Sequence, residues 1–286
     1  MTLFGREAIA IPRRGRGHTL WGQVWWRFRR KKVGMASLAV IVILYMAGIL
    51  APWITPYDYN EQQLTRETIR QGPTLAHPFG TDHVGRDVLT RIIFSLRTTV
   101  IVTVVSIITG SLFLGIFLGL LAGYYGRWVD SLIMRVGEVF LAFPGLLLVI
   151  LIAATVKPRV LQWVRAFEDA TGIKGIVQLG VVDYLVVFGA LAAFSWVGMA
   201  RLVRGQVLAL KASQFVEAAK ASGASTMRIL FVHILPNVLG PVIVVVSMGM
   251  ATAAGSEVVL SWLGIGIQPP TPSLGQMITD AGVGLG

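Results

Sequence analysis

Apolar positions along the chain fall into five long runs, separated by polar stretches of very unequal length. The runs cover approximately 33–54, 98–124, 129–156, 184–200 and 238–263. Each approaches or exceeds the roughly 20 residues of helix that cross a bilayer. Pro52 and Pro56 mark the end of the first run. The polar stretch 55–97 follows, with Gly80 and Gly85 punctuating turns and Asp82 placed to cap what comes next. Val88, Leu89, Ile92 and Ile93 give the apolar face of a helix that starts near Arg86 and leads into the second run. Ahead of the first run, Trp21, Val24, Trp25 and Phe28 recur at i, i+3, i+4 and i+7, with Arg27, Arg30 and Lys31 largely off that face. This predicts an interfacial helix, or else a plain extension of the first span. Between the third and fourth runs, 157–182 reads as a loop. It carries a short amphipathic helix on Val160, Leu161, Val164 and Phe167 and is loosened by Gly172, Gly175 and Gly180.

The exceptions inside the runs carry the next layer of information. Gly115, Gly119 and Gly123 recur every four residues, a stripe that lets another helix of this chain or of a partner approach closely. Asp130, Arg135 and Glu138 fall in the first turns of the third run. Arg135 and Glu138, three apart, are placed to form a structural ion pair; Asp130, five before Arg135, is less well placed. Pro144, in Leu141-Ala142-Phe143-Pro144, frees a carbonyl and predicts a kink. Glu257 lies deep in the fifth run, with Ser256 and Met250 on the same run. An intramembrane acid is a candidate for a translocation pathway, and these three residues are its candidates here. The alternatives are a pairing with a partner subunit or a bond to broken backbone. Gly264, Gly266 and three following prolines exclude a regular helix and predict an external turn.

Composition fixes the class. The 286 residues are 55% hydrophobic and 14% charged, against about 25% charged in ordinary globular domains. This is an all-α, multi-pass membrane protein by composition and patterning. Without cysteine, disulfide and thiolate chemistry are excluded. The net charge of +11 raises the question of nucleic acid. Its distribution answers it: nine of the 25 Lys and Arg residues precede Val33, among them Arg13, Arg14, Arg16, Arg27, Arg29, Arg30, Lys31 and Lys32. A basic flank on a first span is the positive-inside signal, which predicts a cytoplasmic N-terminus facing membrane lipid. Alternation then puts 55–97 and 157–182 outside. The first run starts late and is long enough to be a span, so no cleavable signal peptide is expected. No Gly-x4-Gly-Lys-Ser/Thr loop, Gly-x-Ser-x-Gly elbow or His-Glu-x-x-His helix occurs, so neither ATP binding nor hydrolase chemistry has a scaffold on this chain. His18, His77, His83 and His233 are scattered, and the six-residue spacing of His77 and His83 makes a weak metal pair; no metal site is expected.

One polar, basic interruption organises the rest. After the fourth run ends at Arg201 and Arg204, the stretch 205–236 carries Lys211, Lys220 and Arg228 against a single acid, Glu217. Ser213 or Gln214 opens a short helix with Phe215, Ala218 and Ala219 on one face; Gly223 stops it; a second short helix follows; and Pro236 suits the first turn of the next span.

The spaced pattern Glu217-Ala218-Ala219, then Gly223, then Ile234-Leu235-Pro236 resembles the EAA loop of ABC importer permeases. His77-Pro78-Phe79-Gly80-Thr81-Asp82 with Gly85-Arg86-Asp87-Val88-Leu89 resembles the signature of the C-type permease of dipeptide, oligopeptide and nickel importers. Asp130 through Arg135 to Pro144, Gly198 to Gln206, and Leu260 to Pro272 are similar to that family as well, with Glu138 where it often has Asp and Trp262 where Phe is commoner. The resemblance implies a type I importer permease with 1–32 as a basic cytoplasmic segment, 33–97 as first span plus external segment, and 98–286 as the transport core with a coupling loop at about 205–236. It further implies that Phe215, Glu217, Ala218, Ala219, Gly223 and Ala224 dock on an ATPase. The expected partners are a homologous B-type permease, two ABC ATPase subunits holding ATP and Mg, and an extracytoplasmic substrate-binding protein. A sixth span is expected after the last residue. The expected cargo is a di- or oligopeptide, with nickel or another small solute as alternative. An intramembrane enzyme and an ATP-independent channel are the competing classes.

Overall fold

The fold comes from a computed structural model of the chain, in which residues 26 and 28–283 are described. Helix accounts for 74% of the chain, and among the described residues there is no strand. Among the described residues, five helical stretches are long and apolar enough to cross a membrane: Lys32–Ile49, Val88–Tyr125, Gly145–Thr171, Val181–Leu210 and Thr226–Trp262.

The chain divides into two units, Met1–Met46 and Ala47–Gly286. In the first, Arg30 stacks over the Trp26 ring at 3.7 Å, and most of helix α1 (Lys32–Ile49) follows with its apolar side chains exposed. Trp21, Val24 and Trp25 of the expected interfacial helix lie outside the described residues.

The second unit begins with the last turn of α1. Pro52 does not simply end that helix: it sits in the first turn of a separate one-turn helix, α2 (Ala51–Ile54), where its missing N–H costs nothing. The polar stretch 55–87 has no regular elements and is tied down by side chains. Asp87, not Asp82, caps the next helix, accepting from the Thr90 amide at 2.7 Å while its other oxygen lies 3.0 Å from His77 Nδ1. Asp82 instead accepts from the amides of Val84 and Arg86 and from the guanidiniums of Arg86 and Arg91. Gly80 and Gly85 take φ of +72° and +74°, as their turn positions require.

Helix α3 (Val88–Ser106) runs through a nine-residue π-helical segment, Ile107–Gly115, into α4 (Ile116–Tyr125). The wide turn was not legible in the sequence. It packs against α7 (Val181–Leu210), where the Ser111 hydroxyl donates to the Ser195 carbonyl at 3.3 Å. The Gly115–Gly119–Gly123 stripe meets the same helix. A Cβ on these glycines would come within 2.6 to 2.7 Å of Met199, Val203 and Val207 respectively. The stripe therefore serves a helix of this chain, and the main buried cluster (Leu120, Met199, Val203, Val207, Val216, Ile229 and Leu230 among others) grows from that contact.

The third apolar run is not one kinked span. It is two helices, α5 (Arg127–Leu141) and α6 (Gly145–Thr171), broken at Ala142–Pro144. Nor is there a separate amphipathic helix beyond it: α6 continues through Pro158 to Thr171 and stops at Gly172, whose φ is +73°. Helix α8 (Gln214–Ala221), the single turn α9 (Thr226–Arg228) and a second π-helical segment, Ile229–Ile234, lead into α10 (Leu235–Trp262). After the irregular turn, α11 (Leu274–Val283) folds back on α10. Ser273 marks its start, accepting from the Gln276 amide at 3.2 Å, a capping signal that sequence reasoning passed over.

Candidate functional site

The loop between α7 and α10 is built around two small anchors. Val216 is fully buried in the main cluster, with Ala219 and Ala224 packed beside it. That turns the helix: Phe215, Glu217 and Ala218 are exposed, while Ala219 faces inward, so the expected face of Phe215, Ala218 and Ala219 is divided between outside and inside. The missed signal was Val216, whose spacing from Ala219 sets the inward face. Helix α8 ends in a Schellman turn. The Gly223 amide bonds the Lys220 carbonyl at 2.9 Å and the Ala224 amide bonds the Ala219 carbonyl at 3.0 Å. Gly223 has φ of +75°, the left-handed region where a side chain costs energy. Lys220 reaches the ring of Tyr124, 5.7 Å from its centroid, and Lys211 bonds the Gly123 carbonyl at 3.2 Å. Both therefore hold the loop to the end of α4. Ser225 opens α9 by accepting from the Arg228 amide at 3.4 Å.

Glu257 lies inside the bundle. It has no solvent exposure and is fully engaged: Thr99 donates to it at 2.8 Å and Ser261 at 2.9 Å, and Ser261 in turn accepts from the Ile267 amide at 3.1 Å. An acid so enclosed faces the bundle interior and joins α3, α10 and the following turn. Ser256 and Met250 are half-buried on the same helix.

The expected pair of Arg135 and Glu138 is also corrected. Among the described residues neither has an ion-pair partner, and both are exposed. The pair that forms is Arg204 of α7 with Asp130 of α5, through both carboxylate oxygens, the second at 2.6 Å. A contact across helices won over one along the helix. These groups, with Ser131 and Met134, line one polar recess of about 340 Å³.

Contacts along α7 give the depth of the α5–α6 break. Asp130 is level with Arg204, Gly137 with Val197, and the Phe140 ring lies 5.8 Å from that of Phe194. Gly145 abuts Phe194 again, and Lys157 bonds Asp183 at 2.8 Å. The break therefore sits near the middle of α7, roughly 20 Å from either end at 1.5 Å per residue.

At the opposite end, Arg91 joins Asp82 at 2.6 Å and Asp280 of α11 at 2.9 Å, and Arg86 bonds the same two acids at 2.7 and 3.4 Å. Asp82, His83 and Asp280 come within 4.8 Å of one another, but two guanidiniums already neutralise the two carboxylates. The cluster reads as a lock between the polar segment and α11.

Among the described residues, five bilayer-length helical stretches, with a compact two-helix polar loop between the last two, define a multi-pass membrane protein. Residues 115–285 match the family described as binding-protein-dependent transport system inner membrane component, and residues 19–73 match the N-terminal TM domain of oligopeptide transport permease C. The chain belongs to this family and is a C-type permease of ABC importers, a multi-pass inner membrane protein. It is 36% identical over 261 residues to the dipeptide transport system permease protein DppC of Alkalihalophilus pseudofirmus, covering 91% of this chain and 77% of that one. It is 36% identical over 275 residues to the glutathione transport system permease protein GsiD of Escherichia coli, covering 96% and 82%.

Proposed function

We propose that this chain is one half of the passage of a peptide importer, driven by ATP through the loop at about 205–236. The observation that carries the coupling reading is the build of α8: a short helix anchored by Val216 and a Schellman turn, yet presenting Phe215, Glu217 and Ala218 outward. A rigid, protruding helix suits docking into a groove on another protein, because little order remains to be gained on binding. Gly223 completes the docking element, and Ala219 and Ala224 seat it on the bundle. ATP and Mg are held by two ATPase subunits, a homologous B-type permease supplies the other half of the passage, and a binding protein delivers cargo. This chain itself binds no cofactor. The basic flank before α1 supports an N-terminus in the cytoplasm, on the same side as the loop. A dipeptide permease and a glutathione permease among the relatives support a small peptide as cargo. When the ATPase dimer closes, α8 moves with it, and packed helices switch by rigid-body rocking rather than by bending.

The test is co-expression with the neighbouring subunits, purification in mild detergent, and measurement of ATP hydrolysis and peptide uptake. Recovery of a second permease with an ATPase, and loss of peptide-stimulated hydrolysis on Glu217→Lys, is the expected result. A chain that purifies alone and passes ions in liposomes would establish a channel instead.

A further inference from the structure

Helix α5 has three distinct faces. Ile133, Gly137 and Phe140 pack inward on Trp196 and Val197. Trp128, Leu132, Val136 and Val139 form an exposed apolar stripe that suits lipid. Between them runs a second exposed stripe of Ser131, Arg135 and Glu138, continued by Ala142 at i, i+4, i+7 and i+11. It ends at the helix break. There Pro144 has no N–H for the Phe140 carbonyl, and among the described residues the carbonyls of Leu141 and Ala142 gain no backbone donor. Ala142, Phe143 and Pro144 are all exposed.

Neither half of this arrangement is compatible with lipid. Charged side chains at this depth are expensive unless paired or wet. Non-helical backbone at membrane depth persists only inside protein or along a water-filled space. A dry protein partner would have to satisfy a guanidinium, a carboxylate and several carbonyls at once, or leave buried groups at several kcal/mol each. Water satisfies all of them. By contrast, the exposed face of α10 between Ile243 and Thr252 carries no charge: Ile243, Val244, Met248 and Ala251 are apolar, and of the hydroxyls of Ser247 and Thr252 the first bonds the Ile243 carbonyl of its own helix.

We infer that the stripe Ser131–Arg135–Glu138–Ala142 and the open carbonyls of the α5–α6 break form the wet wall that this chain contributes to the passage, and that the peptide's two charged ends are met there. The inference rests on the peptide-importer reading for its cargo. Glu138 and the carbonyls suit an ammonium group, and Arg135 suits a carboxylate one turn away. Asp130 and Arg204 neutralise each other, so the wall carries one positive and one negative group free for a zwitterion.

The absence of cysteine makes the test direct. Single variants Ser131→Cys, Ala142→Cys, Leu132→Cys and Val139→Cys, with Leu75→Cys as the exposed reference, are made in the full complex in membrane fragments open on both sides. Each is treated with a charged methanethiosulfonate reagent. Ser131→Cys and Ala142→Cys should label at least about tenfold faster than Leu132→Cys and Val139→Cys, because a thiol among apolar groups loses its reactive thiolate. Excess tripeptide should slow labelling at Ala142→Cys. Labelling of Ser131→Cys and Ala142→Cys as slow as at Leu132→Cys, or equal labelling at all four, overturns the wet wall. Labelling unaffected by tripeptide overturns peptide recognition at it. Uptake of the same tripeptide by the complex carrying the unsubstituted chain tests the importer reading separately, and labelling of that complex gives the background from its other subunits.

Discussion

Thr99 on α3 donates a 2.8 Å hydrogen bond to the carboxylate of Glu257 on α10, and the acid that receives it has no solvent exposure. With Ser261 on the other oxygen and Ile267 bonded to Ser261, one side chain holds two long helices and a turn together. Such an arrangement supports a structural role. Glu257→Ala should therefore lower the thermal stability of the purified complex and its yield, since leaving a buried hydroxyl unpartnered costs about 1–3 kcal/mol. Glu257→Gln, which keeps shape and hydrogen-bonding capacity, should lose much less. Full assembly of the alanine variant combined with abolished transport would return Glu257 to the pathway.

The glycine stripe gives a packing prediction. A Cβ at Gly119 would lie 2.7 Å from the Ala200 carbonyl and 2.7 Å from Val203 Cβ, both rigid parts of α7. Gly189, on α7 itself, has no atom within 4 Å of the position a Cβ would take. Gly119→Ala should destabilise by about 1–3 kcal/mol through overpacking. Gly189→Ala should be neutral or slightly stabilising, because alanine suits a helix interior better than glycine. Melting curves of the two variants in one detergent decide it, and equal effects would refute close packing along the stripe.

Much of this architecture was legible because membrane helices advertise themselves by length and apolarity. The five runs, the two short helices around Gly223 and the turns at Gly80 and Gly85 all follow from local rules. What local rules missed was set by contacts between elements. Asp130 is five residues from Arg135 and looks unpaired along its own helix, yet Arg204 reaches it across the bundle. Glu257 looked like a pathway acid because its depth is written in the sequence and its enclosure by Thr99 and Ser261 is not. Pro144 announced a disturbance but not its size, since a kink and a full break share the same residue. The π-helical segments carry no periodic signature; the first, Ile107–Gly115, is a wide turn packed on α7. In the loop between α7 and α10 the motif residues were legible, but Val216, which decides the face they present, lies between them and outside the motif.

The lock at Asp82 should respond to acid. Burial alone would raise its carboxyl, but bonds from the Arg86 and Val84 amides and from the Arg86 guanidinium outweigh that and hold it below its ordinary 3.8. A carboxylate depressed on folding contributes stability that is complete above its unfolded value and is lost as pH falls through the folded one. The wild type should therefore melt higher than Asp82→Asn at pH 7. The gap should hold down to about pH 5 and close progressively below about pH 4. Thermal unfolding of both proteins across that range measures it. A gap unchanged at pH 3 would mean that the Asp82 charge does not stabilise the segment.

A substitution at Gly223 should separate folding from the proposed coupling. No atom lies within 4 Å of where its Cβ would stand, so alanine there meets no steric obstacle. Its φ of +75° nevertheless costs a side chain about 1–2 kcal/mol. That penalty falls on the Schellman turn, whose two bonds fix the end of α8. The buried cluster beneath, anchored by Val216, is untouched, so the variant should insert and assemble normally. The helix end should fray and transmit motion poorly. Gly223→Ala is thus expected to retain basal ATP hydrolysis in the assembled complex while reducing peptide uptake several-fold. Gly223→Asn should recover part of it, because asparagine tolerates the left-handed conformation. Normal uptake by the alanine variant would show that the turn's geometry is not used in coupling. Equal loss in alanine and asparagine variants would point to a requirement for the bare glycine surface at the docking interface.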